Sequence, residues 1–288
     1  MDLILSLTKG LLSSLGAAIF GTVFPAGVPS YFAQILQAIQ DLIHIEAVSN
    51  DITLIKGTVD GVISQMTIDY ANMKSASGVT NKQLIHFLSP IEATLDDQVM
   101  GPLEALTDTD NAKGNAQQSL LVYLLGGGMQ FAVLQEMALH DPDAATPGAS
   151  QYASDIKTYA TKYATRATTL LAALRTSRIN SITGINPGMV AEAGQAERPD
   201  QSSDSWPTGS RQVETYIYDG WLGSRQCDNT ENLDSWTPIE SSDAWAATAA
   251  CRPGYIASAG TQFDTDWSKA SDTIADWVKL QTTPLPAA

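Results

Sequence analysis

The chain has 288 residues, 44% of them hydrophobic and only 16% charged, with a formal net charge of −15. That length is enough to bury a substantial core, and a charged share well below the ordinary ~25% implies long stretches with no charge at all. A polyanion without a Lys/Arg cluster is repelled by nucleic-acid phosphates and by anionic membranes, so nucleic acid is an unsuitable partner and any membrane action must come from apolar insertion or a receptor.

Apolar periodicity predicts six helices. The first covers about residues 3–24 and stops at Pro25. Its start, Met1-Asp2 with Lys9 alone, is too weakly basic for a cleaved signal peptide. Pro25, Gly27 and Pro29 break the charge-free run that follows, which therefore reads as two helices and not one membrane span. The second helix starts at Ser30, an N-cap residue, and sets Phe32, Ile35, Leu36, Ile39, Leu42 and Ile43 at helical spacing. The third runs from Ser49-Asn50-Asp51 to about Met73 on Ile52, Ile55, Val59, Val62, Ile63, Met66 and Tyr70. A loop over residues 75–80 leads to the fourth, about residues 81–106. That helix is more polar, with Glu92, Asp96, Asp97 and Glu104 on or near one side and kink points at Pro90 and Gly101-Pro102. The fifth covers about residues 118–139. The sixth starts near Ser150, carries Tyr152, Ile156, Tyr159, Tyr163, Leu170, Leu171 and Leu174, and ends over residues 175–180 with basic residues in its last turn.

From residue 186 to 212 the chain is polar and rich in helix breakers, so it reads as a linker or long loop. The expected units are a helical domain over 1–185, that linker, and a C-terminal segment over 213–288. Residues 213–218 alternate as a short strand. Residues 263–280 read as an amphipathic helix with Trp267, Ala270, Ile274, Trp277 and Val278 on one face. The expected fold class is all-α: six to seven helices in a bundle around a buried apolar central helix, plus a Trp-rich C-terminal segment with minor β structure and one helix. Cys227 and Cys251 lie in no CxxC motif and have no nearby histidine, so zinc is not expected. They are either two buried thiols or a disulfide, which would stabilise by about 3–4 kcal/mol in the chain-entropy model.

Residues 115–135 hold no ionisable charge apart from Tyr123. A helix of about 20 residues spans a ~30 Å hydrocarbon core, and in water a helix apolar on all sides must be surrounded by others. The segment is either an ordinary core helix or one that is hidden in water and able to live in lipid. Gly126, Gly127 and Gly128 each cost a helix about 1 kcal/mol. They mark either a break or a close approach of a neighbour, and resumption of the apolar pattern at Met129 favours one continuous helix. No GxSxG, P-loop or HExxH motif is present, and His44, His86 and His140 are scattered, so neither an enzyme, a cofactor nor a metal is expected.

The order and texture of these helices resemble the N-terminal domain of insecticidal delta-endotoxins, the three-domain Cry toxins. Leu120-Leu-Val-Tyr123 followed by Met129-Gln130-Phe131-Ala-Val-Leu134-Gln-Glu136 resembles the family's central helix. Tyr159-Ala-Thr-Lys-Tyr163 with Leu170-Leu-Ala-Ala-Leu174-Arg175 is similar to its next helix, and the Pro-broken region leading into Phe32 and Leu42-Ile43 is a third match. The resemblance covers about 60% of the chain. It implies a seven-helix bundle with a central fifth helix, and a pore-forming toxin or defence protein that inserts a hairpin over about residues 81–139 into a target-cell membrane and self-associates there. Leu120, Leu121, Tyr123, Leu124, Leu125, Met129, Phe131 and Leu134 would then face lipid. Asp96, Asp97 and Glu104 of the amphipathic fourth helix would line a cation-preferring lumen. The protein would be soluble when made, stored or released, and a surface receptor would be a further partner.

The departures are specific. Gln130 stands where the family carries histidine, the three glycines replace an Ala/Asn-rich stretch, and the two large β domains are missing, so no target is implied. The C-terminal segment either supplies the seventh helix (263–280) or serves receptor contact or interfacial anchoring. Arg175, Arg178, Arg198 and Arg211 are candidate nicking points whose cleavage would free the bundle. The alternative function is a non-lytic helical binding or scaffold protein.

Overall fold

The computed structural model describes residues 50–108, 113–192, 210–234 and 237–285; the helices predicted over residues 3–24 and 30–43 lie outside them. Helix dominates the described residues, accompanied by a three-stranded antiparallel sheet. In chain order the elements are α1 (Asn50–Ser64), a π-helical turn (Gln65–Tyr70), α2 (Ala71–Ser75), α3 (Asn81–Thr94), a second π-helical turn (Leu95–Met100), α4 (Gly101–Asp108), α5 (Lys113–Leu139), α6 (Gln151–Asn180), β1 (Ile182–Glu192), β2 (Ser210–Asp219), β3 (Ser224–Asp234), α7 (Asp243–Asp266) and α8 (Ser268–Leu280). Contacts divide the chain into two compact units, Met1–Leu174 with Asp266–Ala288, and Arg175–Thr265.

In the first unit the predicted third helix is α1, the π turn and α2 run together. Its apolar stripe, Ile55, Val59, Val62, Ile63, Met66 and Tyr70, is buried. Gly78 takes a left-handed turn (φ 87°), and Thr80 then starts α3 with a capping box. Its Oγ1 accepts from Gln83 N, while Gln83 Oε1 accepts from Thr80 N at 2.9 Å. Pro90 does not end α3. The helix widens one turn later, over Leu95–Met100, and continues as α4.

α5 is one continuous helix through all three glycines. Every residue from Ser119 to Ala138 is buried. Close approach explains Gly126 and Gly127. A Cβ at Gly126 would stand 2.9 Å from Met100 Sδ and 3.2 Å from Val99 Cγ1, and one at Gly127 would stand 2.8 Å from Trp277 Cη2 and 3.3 Å from Tyr163 Cδ2. The backbone of α5 is thus in contact on one side with the π turn before α4, and on the other with α6 and α8. An expected result follows. Gly127→Ala destabilises the protein by roughly 1–3 kcal/mol of overpacking despite a propensity gain of up to ~1 kcal/mol. Gly57→Ala and Gly61→Ala in α1, where a Cβ meets nothing within 4 Å, stabilise. Urea melts of the three variants check the opposite signs.

In the second unit β1, β2 and β3 pair antiparallel in that order. Val213, Thr215, Ile217 and Asp219 of β2 are buried, and the residues between them are not, which is the period of two of a sheet with one covered face. α7 covers it. Ala259 joins Ile182 and Ile217 in the core, with Tyr255 and Ile256 packed against them. Thr215 Oγ1 donates to Ala244 O at 2.8 Å. Between Gln226 and Asn229 the register slips by one residue, and Cys227 takes positive φ (55°) at that bulge. Cys227 is joined to Cys251 of α7 by a disulfide.

Four expectations need correction. The chain is not all-α, because the sheet is three full strands and not a minor strand at 213–218. The 186–212 linker is shorter at both ends, since residues up to Glu192 belong to β1 and residues from Ser210 to β2. Pro187 and two glycines made β1 read as loop, yet β1 is an edge strand, where proline costs no central ladder bond. The helical unit does not end at 185: the division falls after Leu174, and residues from Asp266 onward rejoin it. The helix over 263–280 is the end of α7 and, after a break at Trp267, all of α8.

Candidate functional site

The eight residues expected to face lipid are buried in this structure: Leu120, Leu121, Tyr123, Leu124, Leu125, Met129, Phe131 and Leu134 are each at most 2% exposed. Among the described residues, the stretch Ser119–Leu139 is the only helix long and apolar enough to cross a membrane. An aromatic cluster holds its middle. Trp277 of α8 lies 5.4 Å from Phe131, 6.3 Å from Tyr123 and 6.1 Å from Tyr163 between ring centroids, mostly edge to face. Tyr123 Oη and Trp277 Nε1 are buried with no hydrogen-bond partner, so this cluster is built on packing.

Gln130, Gln135 and Glu136 interrupt the apolar helix with polar side chains, and all three are buried. Gln130 Nε2 donates to Glu92 Oε1 at 3.0 Å and to Asp96 Oδ1 at 3.3 Å, and its Oε1 accepts from Tyr163 Oη at 2.5 Å. One amide therefore ties α5 to α3, to the second π turn and to α6. Glu136 Oε1 accepts from Tyr70 Oη and Lys74 Nζ, each at 2.5 Å, and faces His140 Nε2 at 3.2 Å. His140 Nδ1 lies 3.2 Å from Asn81 Oδ1. Glu136 thereby fastens the end of α5 to the π turn before α2, to α2 and to the start of α3. A charge buried in this way is held only while its partners stay in place.

The three candidate lumen carboxylates are not equivalent. Asp96 meets Gln130, Asp97 is exposed, and Glu104 pairs with Lys162 Nζ of α6 at 2.8 Å. Glu92, of the same helical side, joins Asp96 at the Gln130 amide. Gln130, the acidic end at Glu136, and Glu92 and Asp96 are marked in the sequence, but the pairing of Glu136 with Tyr70 and Lys74 and of Gln130 with Tyr163 is not, because these contacts join distant helices.

Burial, and then the Glu136 charge, push the Tyr70 hydroxyl well above the usual phenol range. Burial and the Asp96 charge do the same at Tyr163, and burial with the Asp96 and Glu92 charges at Tyr159. A raised value favours the neutral phenol in the folded state, so the stabilisation is complete below pH ~10 and is lost as pH rises through the folded-state values. The expected result is that at least three of the nine tyrosines stay un-ionised at pH ~11 and titrate only on unfolding, read by phenolate absorbance. Ionisation of all nine near pH 10 with helicity intact would contradict the geometry.

Of the nicking candidates, Arg178 is buried, and Arg175 lies in helix α6 and is paired with Asp264 of α7. Arg211 lies in β2, and Arg198 lies outside the described residues. An open groove of about 570 Å³ is lined by Asp69, Met73, His86, Phe87 and Ile91 among others. No group of three or more His, Cys, Asp or Glu residues suited to a metal occurs among the described residues. No family model, curated protein or solved structure matches the chain.

Proposed function

We propose that the chain is a pore-forming toxin or defence protein of the delta-endotoxin kind, soluble when made and acting at a target-cell membrane. The described helices of the first unit are then a bundle around α5, and the inserting element is the hairpin from α3 to α5. The observation that carries the reading is α5 itself: one unbroken helix whose stretch Ser119–Leu139 is long and apolar enough to span a bilayer, with every residue from Ser119 to Ala138 buried. Its neighbour is amphipathic, with Leu84, Leu88, Ile91, Leu95 and Val99 turned inward and Asp97 outward. In the inserted state Asp96, Asp97 and Glu104 face the lumen, and copies of the hairpin associate around it. Opening breaks the Tyr163–Gln130 bond and the Glu136 contacts with Tyr70 and Lys74, while the Gln130 contacts to Glu92 and Asp96 stay within the hairpin.

The complete burial of α5 supports a second reading equally directly, a non-lytic helical binding or scaffold protein whose α5 never leaves its core. Planar-bilayer recording separates the two. The pore reading expects discrete, cation-preferring conductance steps whose selectivity falls in the Asp96→Asn, Asp97→Asn, Glu104→Gln triple variant. Absence of any steps with protein that binds the bilayer sinks it. Steps with unchanged selectivity remove the lumen assignment and keep the pore.

A further inference from the structure

We infer that the turn between β2 and β3 is an anchor for the interfacial zone of a lipid bilayer, presenting Leu222 and Tyr218 to it. This deepens the membrane reading above and rests on it. Few large apolar side chains are exposed among the described residues, and two of them belong to this hairpin: Leu222 at 60% and Tyr218 at 40%. Tyr218 reaches over the turn, so that a Cβ at Gly223 would lie 3.9 Å from its hydroxyl. The two side chains thus share one end of the sheet.

The turn is more strongly built than a connecting loop requires. Buried Asp219 accepts from Trp221 N at 2.9 Å and Leu222 N at 3.1 Å, from Arg178 Nη1 at 3.0 Å and Nη2 at 2.7 Å, and from Tyr255 Oη at 2.6 Å. Gly223, at φ 67°, closes it with a bond from its N to Asp219 O at 2.8 Å. Trp221 sits between Phe263, edge to face at 6.5 Å, and the Arg178 guanidinium at 6.0 Å. All of this fixes a backbone whose outermost side chain is a leucine in water. A rigid display has already lost the entropy that binding would otherwise cost.

The chemistry of the tip fits a bilayer. From Gly220 to Cys227 the only charged residue is Arg225, although the whole chain carries −15. Asp219, the one carboxylate of the turn, is buried and neutralised by Arg178. Arg225 stacks on Tyr216 at 4.1 Å and pairs with Glu214. A leucine flanked by a tyrosine, a tryptophan and an arginine, with no exposed carboxylate from Gly220 to Cys227 and the first at Asp228, is a composition that settles at headgroup depth.

The test is sedimentation of the full chain with protein-free phosphatidylcholine vesicles loaded with dye. The anchor expects wild type to partition onto them, Leu222→Asp to lose about tenfold or more of that partition, and Tyr218→Ser to lose a smaller factor. Leu222→Trp restores or exceeds wild type. Because Leu222 is exposed, the Asp variant keeps its circular dichroism. Unchanged binding by Leu222→Asp and Tyr218→Ser overturns the anchor and leaves the pore reading standing. Failure of wild type to bind unless membrane proteins are present also overturns it, in favour of a protein receptor. Leu222-dependent binding with all dye retained keeps the anchor and counts against the pore.

Discussion

Trp277→Ala is expected to cost about 3–5 kcal/mol, the range for removing a large aromatic from a packed core. The indole is fully buried and covers Gly127, where α5 has no side chain of its own. Truncation leaves a cavity against a bare helix backbone and removes the ring that Tyr123, Phe131 and Tyr163 share. Relaxation is limited, because Gln135 Nε2 also holds Pro284 O at 2.9 Å just beyond α8. Denaturant melts followed by helical signal measure the loss, and Trp277→Phe retains part of it. A change below about 1 kcal/mol would mean that α8 does not cover α5. If α5 is the inserting helix, the same variant releases vesicle dye faster than wild type at equal protein.

Arg178→Ala is expected to cost a similar amount, about 3–5 kcal/mol, in the second unit, because it strands a buried carboxylate. Asp219 keeps Tyr255 and the two turn amides but loses both guanidinium bonds. Arg178→Lys recovers only part, since an ammonium cannot reproduce the two-pronged fit. Burial alone would raise the Asp219 carboxyl. The Tyr255 hydroxyl, the Arg178 guanidinium and the Leu222 amide outweigh it and hold the carboxyl below its usual range. A lowered folded-state value gives stability that is present above pH ~4 and is lost as pH falls through that lower value. Hydrogen exchange of the β2 and β3 amides reads both effects. Protection relative to the intrinsic exchange rate should fall in the Ala variant at neutral pH and in wild type only under acid below pH ~4. Sheet protection equal to wild type in Arg178→Ala would remove Asp219 as the organiser of the turn.

The parts of the fold legible in the sequence are those whose physics is local. α5 is a charge-free run, and α1 and α3 carry apolar stripes of helical period. α3 starts where expected, after the loop over residues 75–80, and the Thr80–Gln83 capping box that fixes that start is seen in the structure. The two π turns leave no such mark. β3 hides its period because, of its eleven residues, only Leu233 is a buried aliphatic. α7 is Ala-rich with Pro253 and Gly254 inside it, which reads as a break, yet it continues through both. Trp277 was recognisable as one face of an amphipathic helix, and its seat against Gly127 was not, because that contact joins residues far apart in the chain. The glycines themselves were the local hint, since a helix that gives up propensity at three consecutive positions leaves room for a neighbour's approach. Of the candidate site, the helix and its carboxylate-bearing partner could be read. The Gln130 and Glu136 fastenings could not, for they are set by packing of side chains from several helices.

The proposed function requires α5, buried in this structure, to enter lipid. Dye release from liposomes tests it most directly, using intact chain and chain nicked by trypsin, over a range of pH and lipid composition. Nicking alone leaves α8 seated on α5 through Trp277, so the account expects the nicked protein to release more once its fragments separate, with Trp277→Ala faster still. Release that rises with protein concentration, and falls when Leu124 and Leu125 are both replaced by serine in chains that remain helical, is the expected result. If neither intact nor nicked protein releases dye under any of these conditions, and neither lyses cells, α5 is a core helix and the pore reading is wrong.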